Sequence, residues 1–145
     1  MKPRVLIFED NDVLRSVLKK IIDEYGYEVH AFSNPAMCPL YYPSKHNCLV
    51  DNPCSDIIIS DVNMPIMNGL EFIENQLKKG CKVKFRALMS ADWNDSDLQC
   101  AKRMGCRVFR KPFDIKELLK WLDNCRKQID HKRVLPDWSS GEDKK

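Results

Sequence analysis

The chain has no long hydrophobic run. After Met1-Lys2-Pro3-Arg4 only four apolar residues follow, Val5 to Phe8. A signal peptide needs a longer apolar stretch, and a membrane span needs about 20 residues. The expectation is a cytoplasmic protein with no membrane partner. An excess of one charge is missing too. Lys and Arg number 24 against 21 Asp and Glu, a net charge of +3. That charge is spread along the chain rather than gathered into a basic stripe, which argues against nucleic acid as a partner. No internal repeat is visible, and the expectation is a single domain. Cysteine is plentiful, with seven residues. An odd count without an export signal points to reduced thiols. The 145 residues are 43% hydrophobic and 31% charged, which suits one soluble domain with its own core.

Apolar runs and helical periodicities alternate along the chain. Val5 to Phe8 reads as a buried strand. Asp12 is a candidate N-cap for a helix carrying Val13, Leu14, Val17, Leu18, Ile21 and Ile22 at helical spacing, with Gly26 after its end. Glu28 to Phe32 reads as a second strand. Asp56 to Ser60 is the third, ending in Asp61. A helix over Leu70 to Leu77, a strand over Phe85 to Met89 and a helix over Asp95 to Met104 follow. Arg107 to Arg110 is a short fifth strand, and Asp114 caps a last helix with Leu118, Leu122, Cys125 and Ile129 inward. Residues 33–55 interrupt this order, because Pro35, Pro39, Pro43 and Pro53 forbid a long helix there. The expected domain is 1–130, with a Cys- and Pro-rich insert at 33–55 and a polar, flexible tail at 131–145. The fold class is α/β, a doubly wound five-stranded parallel sheet with helices on both faces.

In such sheets the functional groups lie beyond the carboxyl ends of the strands. Those ends supply Glu9-Asp10, Asp61, Ser90-Ala91 and Lys111-Pro112. Three carboxylates at one rim repel one another and persist with a compensating cation. An all-oxygen cluster suits Mg²⁺ or Mn²⁺. One oxygen of Asp61 then remains free to attack phosphorus, and Lys111 and Ser90 suit the oxygens of a transferring phosphoryl group. The bland reading of the same residues is a structural acidic rim with a lysine counter-ion.

These residues carry a resemblance to a known family. Phe8-Glu9-Asp10, Ser60-Asp61-Val62-Asn63-Met64-Pro65-Ile66-Met67-Asn68-Gly69, Met89-Ser90-Ala91 and Lys111-Pro112-Phe113 are similar to the motifs of response regulator receiver domains, over Lys2 to Lys127. The resemblance implies a flavodoxin-like fold with strand order 2-1-3-4-5. It implies Asp61 as phosphoacceptor, with Glu9, Asp10, Asp61 and the Asn63 backbone carbonyl at the metal. Ser90, Ala91 and Lys111 would contact the phosphoryl group, Gly69 would be structural, and the bond from Lys111 to Pro112 would be cis. The phosphoryl donor would be a sensor histidine kinase or a phosphotransfer protein. The chain would act as a single-domain signalling protein rather than an enzyme. Output would pass to a protein through the face of the fourth helix, fifth strand and fifth helix.

Three positions depart from the family's pattern. Glu9 stands where Asp is more usual. Val108 stands where an aromatic switch residue is usual, with Phe109 pointing to the other face by strand alternation. Residues 33–55 replace a plain second helix. Cys38, His46, Cys48 and Cys54 fall within 17 residues there. A soft-metal or redox site is the functional reading, and a degenerate receiver sensing metal or redox state is the alternative function. The spacing Cys-x9-Cys-x5-Cys is no paired CxxC knuckle, and loop thiols without a special role are the simpler account. A phosphatase using Asp-phosphate chemistry is the remaining reading; it favours a second Asp where Asn63 stands.

Overall fold

The computed structural model describes residues 2–35 and 54–135. Buried apolar runs form β1 (Arg4–Phe8) and β3 (Ile57–Asp61), every residue of which is buried. Such runs suit strands covered on both faces. The remaining elements are α1 (Asp12–Glu24), β2 (Glu28–Phe32), α2 (Gly69–Lys78), β4 (Phe85–Ser90), α3 (Asp95–Arg103), β5 (Arg107–Arg110) and α4 (Ile115–Lys127). All strand pairs are parallel and the order is β2-β1-β3-β4-β5.

Side chains alternate between two cores. Val5, Ile7, Ile57, Ile59 and Phe109 pack with Leu18 and Ile22 of α1 and Leu118 and Leu122 of α4. Leu6, Phe8, Ile58 and Leu88 pack with Phe72 and Ile73 of α2 and Ala101 of α3. The sheet is therefore sandwiched, and its carboxyl edge is left open for polar groups.

Several boundaries differ from the sequence reading by one residue, and two of them have a clear physical cause. The cap of α1 is Asn11, whose Oδ1 accepts the Leu14 N–H at 2.9 Å. Asp12 becomes the first helical residue and pairs with Arg15 at 2.6 Å. A side chain one position earlier reaches the free N–H groups from extended backbone, which is what capping requires. The third strand begins at Ile57, one residue late, because Asp56 serves as an acceptor beside β1. Its carboxylate takes the Arg4 N–H at 2.8 Å and Arg133 Nε and Nη2 at 2.6 and 2.7 Å. Residues 131–135, read from the sequence as the start of a free tail, are thus held to the body, with Leu135 also buried. A fork of donors against a buried carboxylate explains this, and hydropathy alone does not show it. Among the described residues, no helix is long and apolar enough to cross a membrane.

Candidate functional site

Four strand ends build the site. β1 delivers Glu9, wholly buried, and the exposed Asp10. β3 delivers Asp61, 4% exposed. One ligand oxygen from each of Glu9, Asp10 and Asp61 lies within 4.8 Å of the others. β4 ends in Ser90, and the Lys111 N–H bonds the Ser90 carbonyl at 2.9 Å. That bond registers β5 so that Lys111 Nζ lies 2.7 Å from Glu9 Oε1 and 3.3 Å from Asp61 Oδ2. Glu9 Oε2 accepts the Asn11 N–H at 3.1 Å. The Lys111–Pro112 peptide is cis.

The Ser90 hydroxyl is held at the same rim, accepting the Asp92 N–H at 3.0 Å and Asn63 Nδ2 at 3.3 Å. Gly69 opens α2 against β3. A Cβ there would stand 2.2 Å from the Asp61 carbonyl oxygen, so no larger residue fits this approach. Ala91 is exposed beside the lysine, in a groove of about 480 Å³ with Leu14, Val17, Pro112 and Phe113.

The electrostatics follow from burial. Desolvation and then the Glu9 carboxylate push the Asp61 carboxyl up to about 7, with Lys111 opposing them. Hydrogen bonds to Glu9 and the charge of Asp61 raise Lys111 against a lowering effect of its own burial, the largest single influence on it. One ammonium for two buried carboxylates and an exposed third leaves the rim short of positive charge. A hard cation with oxygen ligands fits that deficit. Among the described residues this is the one group of three side chains suited to a metal ion.

The sequence reading missed Trp93. It lies in the loop after β4, 9% exposed, and its Nε1 donates to the Phe109 carbonyl at 3.0 Å. A Trp directly before the α3 cap Asn94 was the available signal, since a buried indole usually finds an acceptor. Val108 packs on the α2–α3 side and Phe109 on the α1–α4 side. Cys38, His46 and Cys48 lie outside the described residues. Cys54 is half-buried against the α2–α3 core. Burial pushes the Cys106 and Cys125 thiols up to about 11 and about 12, which keeps them protonated and unreactive at neutral pH.

Known proteins share this arrangement of elements. The response regulator receiver protein CpdR of Brucella abortus is 26% identical over 122 residues, covering 83% of this chain and 93% of that protein. The aerobic respiration control protein ArcA of Escherichia coli K12 is 30% identical over 117 residues, 80% of this chain and 45% of that protein. The chain spans less than half of other curated relatives, 46% of the regulator SphR of Synechococcus elongatus and 24% of the Arabidopsis regulator ARR11. The crystallised chemotaxis protein CheY4 of Vibrio cholerae superposes with a TM-score of 0.69 at 27% identity, over 86% of this chain and 99% of that one. Residues 5–123 match the model of the response regulator receiver domain, and the chain belongs to that family.

Proposed function

We propose that Asp61 accepts a phosphoryl group from a phosphohistidine on a sensor kinase or phosphotransfer protein. The observation that carries the reading is a buried Asp61 carboxylate flanked by Glu9, Asp10 and Lys111. In the transfer the P–N bond to the donor imidazole breaks and a P–O bond to Asp61 forms. Mg²⁺ or Mn²⁺, held by Asp10, Asp61 and the Asn63 carbonyl with Glu9 beside them, would supply charge neutralisation for the phosphoryl oxygens. Lys111 holds the acceptor carboxylate and offers its ammonium to the same oxygens. Ser90 supplies a hydroxyl donor once it turns from Asn63.

The groove beside Lys111 supports docking of the donor. Its lining of Leu14, Val17 and Phe113 is apolar, and Val13 beside it is 74% exposed. A partner helix laid there would stand next to Asp61. Output passes through the face of α3, β5 and α4 by phosphorylation-dependent protein contact, a shift between pre-existing states.

The test is intact mass after incubation with acetyl phosphate and Mg²⁺, with and without EDTA, on wild type and Asp61→Asn. A Mg²⁺-dependent gain of one phosphoryl group, absent in the variant, is expected. Labelling retained by Asp61→Asn would sink the assignment.

A further inference from the structure

The two flanks of α1 line different cavities. Leu14, Val17, Leu18 and Ile21 face the apolar groove beside Lys111. Ser16, Lys19, Lys20 and Asp23, spaced by three and four residues on the other flank, face a polar cavity of about 710 Å³ against β2. A volume of several hundred Å³ fits a small molecule. Nothing in the proposed phosphoryl chemistry uses this second cavity.

Its floor is built rather than incidental. Arg4 and His30 line it and are each 5% exposed. Arg4 Nε lies 2.8 Å and His30 Nε2 2.6 Å from the same oxygen of Glu28, Oε2. Glu28 Oε1 has no hydrogen-bond partner among the described residues. The Arg4 guanidinium and His30 hold the Glu28 carboxyl below the usual range, although burial works the other way and is the largest single influence. The floor thus presents a fixed, ionised acceptor.

The walls carry the opposite chemistry. Lys2, Lys19 and Lys20 line the cavity and are exposed. None of the three pairs with a carboxylate among the described residues. Three ammonium groups suit phosphate oxygens, for which lysine is a common point-charge partner. Asp23, one helical turn beyond Lys19 and Lys20, would repel a ligand anionic throughout. A ligand with an anionic end and a hydroxyl-bearing end satisfies both halves.

We propose that the cavity between α1 and β2 binds a small molecule of nucleoside-phosphate chemistry. The phosphates rest on Lys2, Lys19 and Lys20. The sugar hydroxyls donate to Glu28 Oε1 and Asp23. The site is separate from Asp61, so it stands or falls independently of phosphoryl transfer there.

The test is isothermal titration of the full chain in low salt with EDTA, using adenosine diphosphate, inorganic pyrophosphate and adenosine as probes. Adenosine diphosphate should bind saturably with one site per chain, and more tightly than either fragment. Lys19→Glu with Lys20→Glu should weaken it at least about tenfold, the loss expected for one charge-assisted contact. Lys116→Glu with Lys120→Glu on α4 makes the same charge change and should leave binding intact. Glu28→Gln should weaken adenosine diphosphate but leave pyrophosphate unchanged. Absence of saturable binding, equal loss in the α4 variant, or pyrophosphate binding as tightly as adenosine diphosphate would each overturn the proposal.

Discussion

Replacing Asp61 by Asn should stabilise the metal-free protein at neutral pH. A buried carboxyl raised from 3.8 to about 7 opposes folding wherever it must ionise. Its folded-state pKa lies above the unfolded one, so the associated stability is fully present below pH 3.8 and is lost as pH rises through about 7. The full shift corresponds to at most about 4 kcal/mol. Solvent reaches the rim at the exposed Asp10 and screens the repulsion, so about half of that, about 2 kcal/mol, is the expected effect. Asn keeps one oxygen for the Lys111 ammonium and removes the charge that Glu9 repels. Urea unfolding of both proteins in EDTA, followed by circular dichroism from pH 4 to pH 8, measures the difference. It should be near zero at pH 4 and rise to about 2 kcal/mol in favour of the variant at pH 8, with a midpoint for melting about 7 °C higher. Added Mg²⁺ should raise wild type and leave Asp61→Asn nearly unchanged. A variant less stable than wild type at pH 8, or a difference that ignores pH, would refute the idea that burial and the Glu9 charge oppose ionisation of Asp61 at this rim.

Arg133→Ala should cost about 3 kcal/mol in urea unfolding, because it leaves the Asp56 carboxylate buried with the Arg4 N–H and no cation against it. Adding Asp56→Asn to that variant should recover part of the loss. Gly69→Ala places a Cβ 2.2 Å from the Asp61 carbonyl oxygen; a loss of about 2 kcal/mol with reduced acetyl-phosphate labelling is expected, and an unperturbed labelling rate would show that α2 can shift freely. Trp93→Phe removes the 3.0 Å bond to the Phe109 carbonyl, a loss of about 1 kcal/mol. The same change should abolish any shift in tryptophan emission when beryllofluoride and Mg²⁺ are added to wild type.

β1 and β3 were legible because each is a short apolar run ended by a polar group, a pattern that burial on both faces imposes. The order of the sheet was not in those runs; it came with the motif residues, and the register in which the Lys111 N–H meets the Ser90 carbonyl realises it. Glu9, Asp10, Asp61 and Lys111 could be placed together because parallel strands deliver their last residues to one edge. What stayed hidden depends on single side chains choosing partners far away in sequence. Asp56 reads as a strand residue until Arg133, 77 positions later, closes on it. Asn11 and Asp12 are both good caps, and only backbone conformation selects the first.

The path from Ser90 to α3 is of that hidden kind. The Ser90 hydroxyl accepts the Asp92 N–H at 3.0 Å, so the turn after β4 is tied to a group at the same rim as Asp61. One residue on, the Trp93 indole is wedged into the α2–α3 core and bonded to β5. The next residue, Asn94, caps α3 through the Asp97 N–H at 2.8 Å. A Ser90 hydroxyl drawn toward a phosphoryl group must release the Asp92 N–H. On the proposed reading, the displacement would be felt first at Trp93 and the cap of α3, because the Lys111 N–H holds the Ser90 carbonyl across β4 and β5. Val108 packs against the core that contains Trp93 but offers only a branched aliphatic side chain, and Phe109 is committed to Phe113 and Trp121 on the opposite side. The large aromatic group on the α3 side of this sheet edge therefore enters from the β4 loop, with its polar atom already fixed to β5.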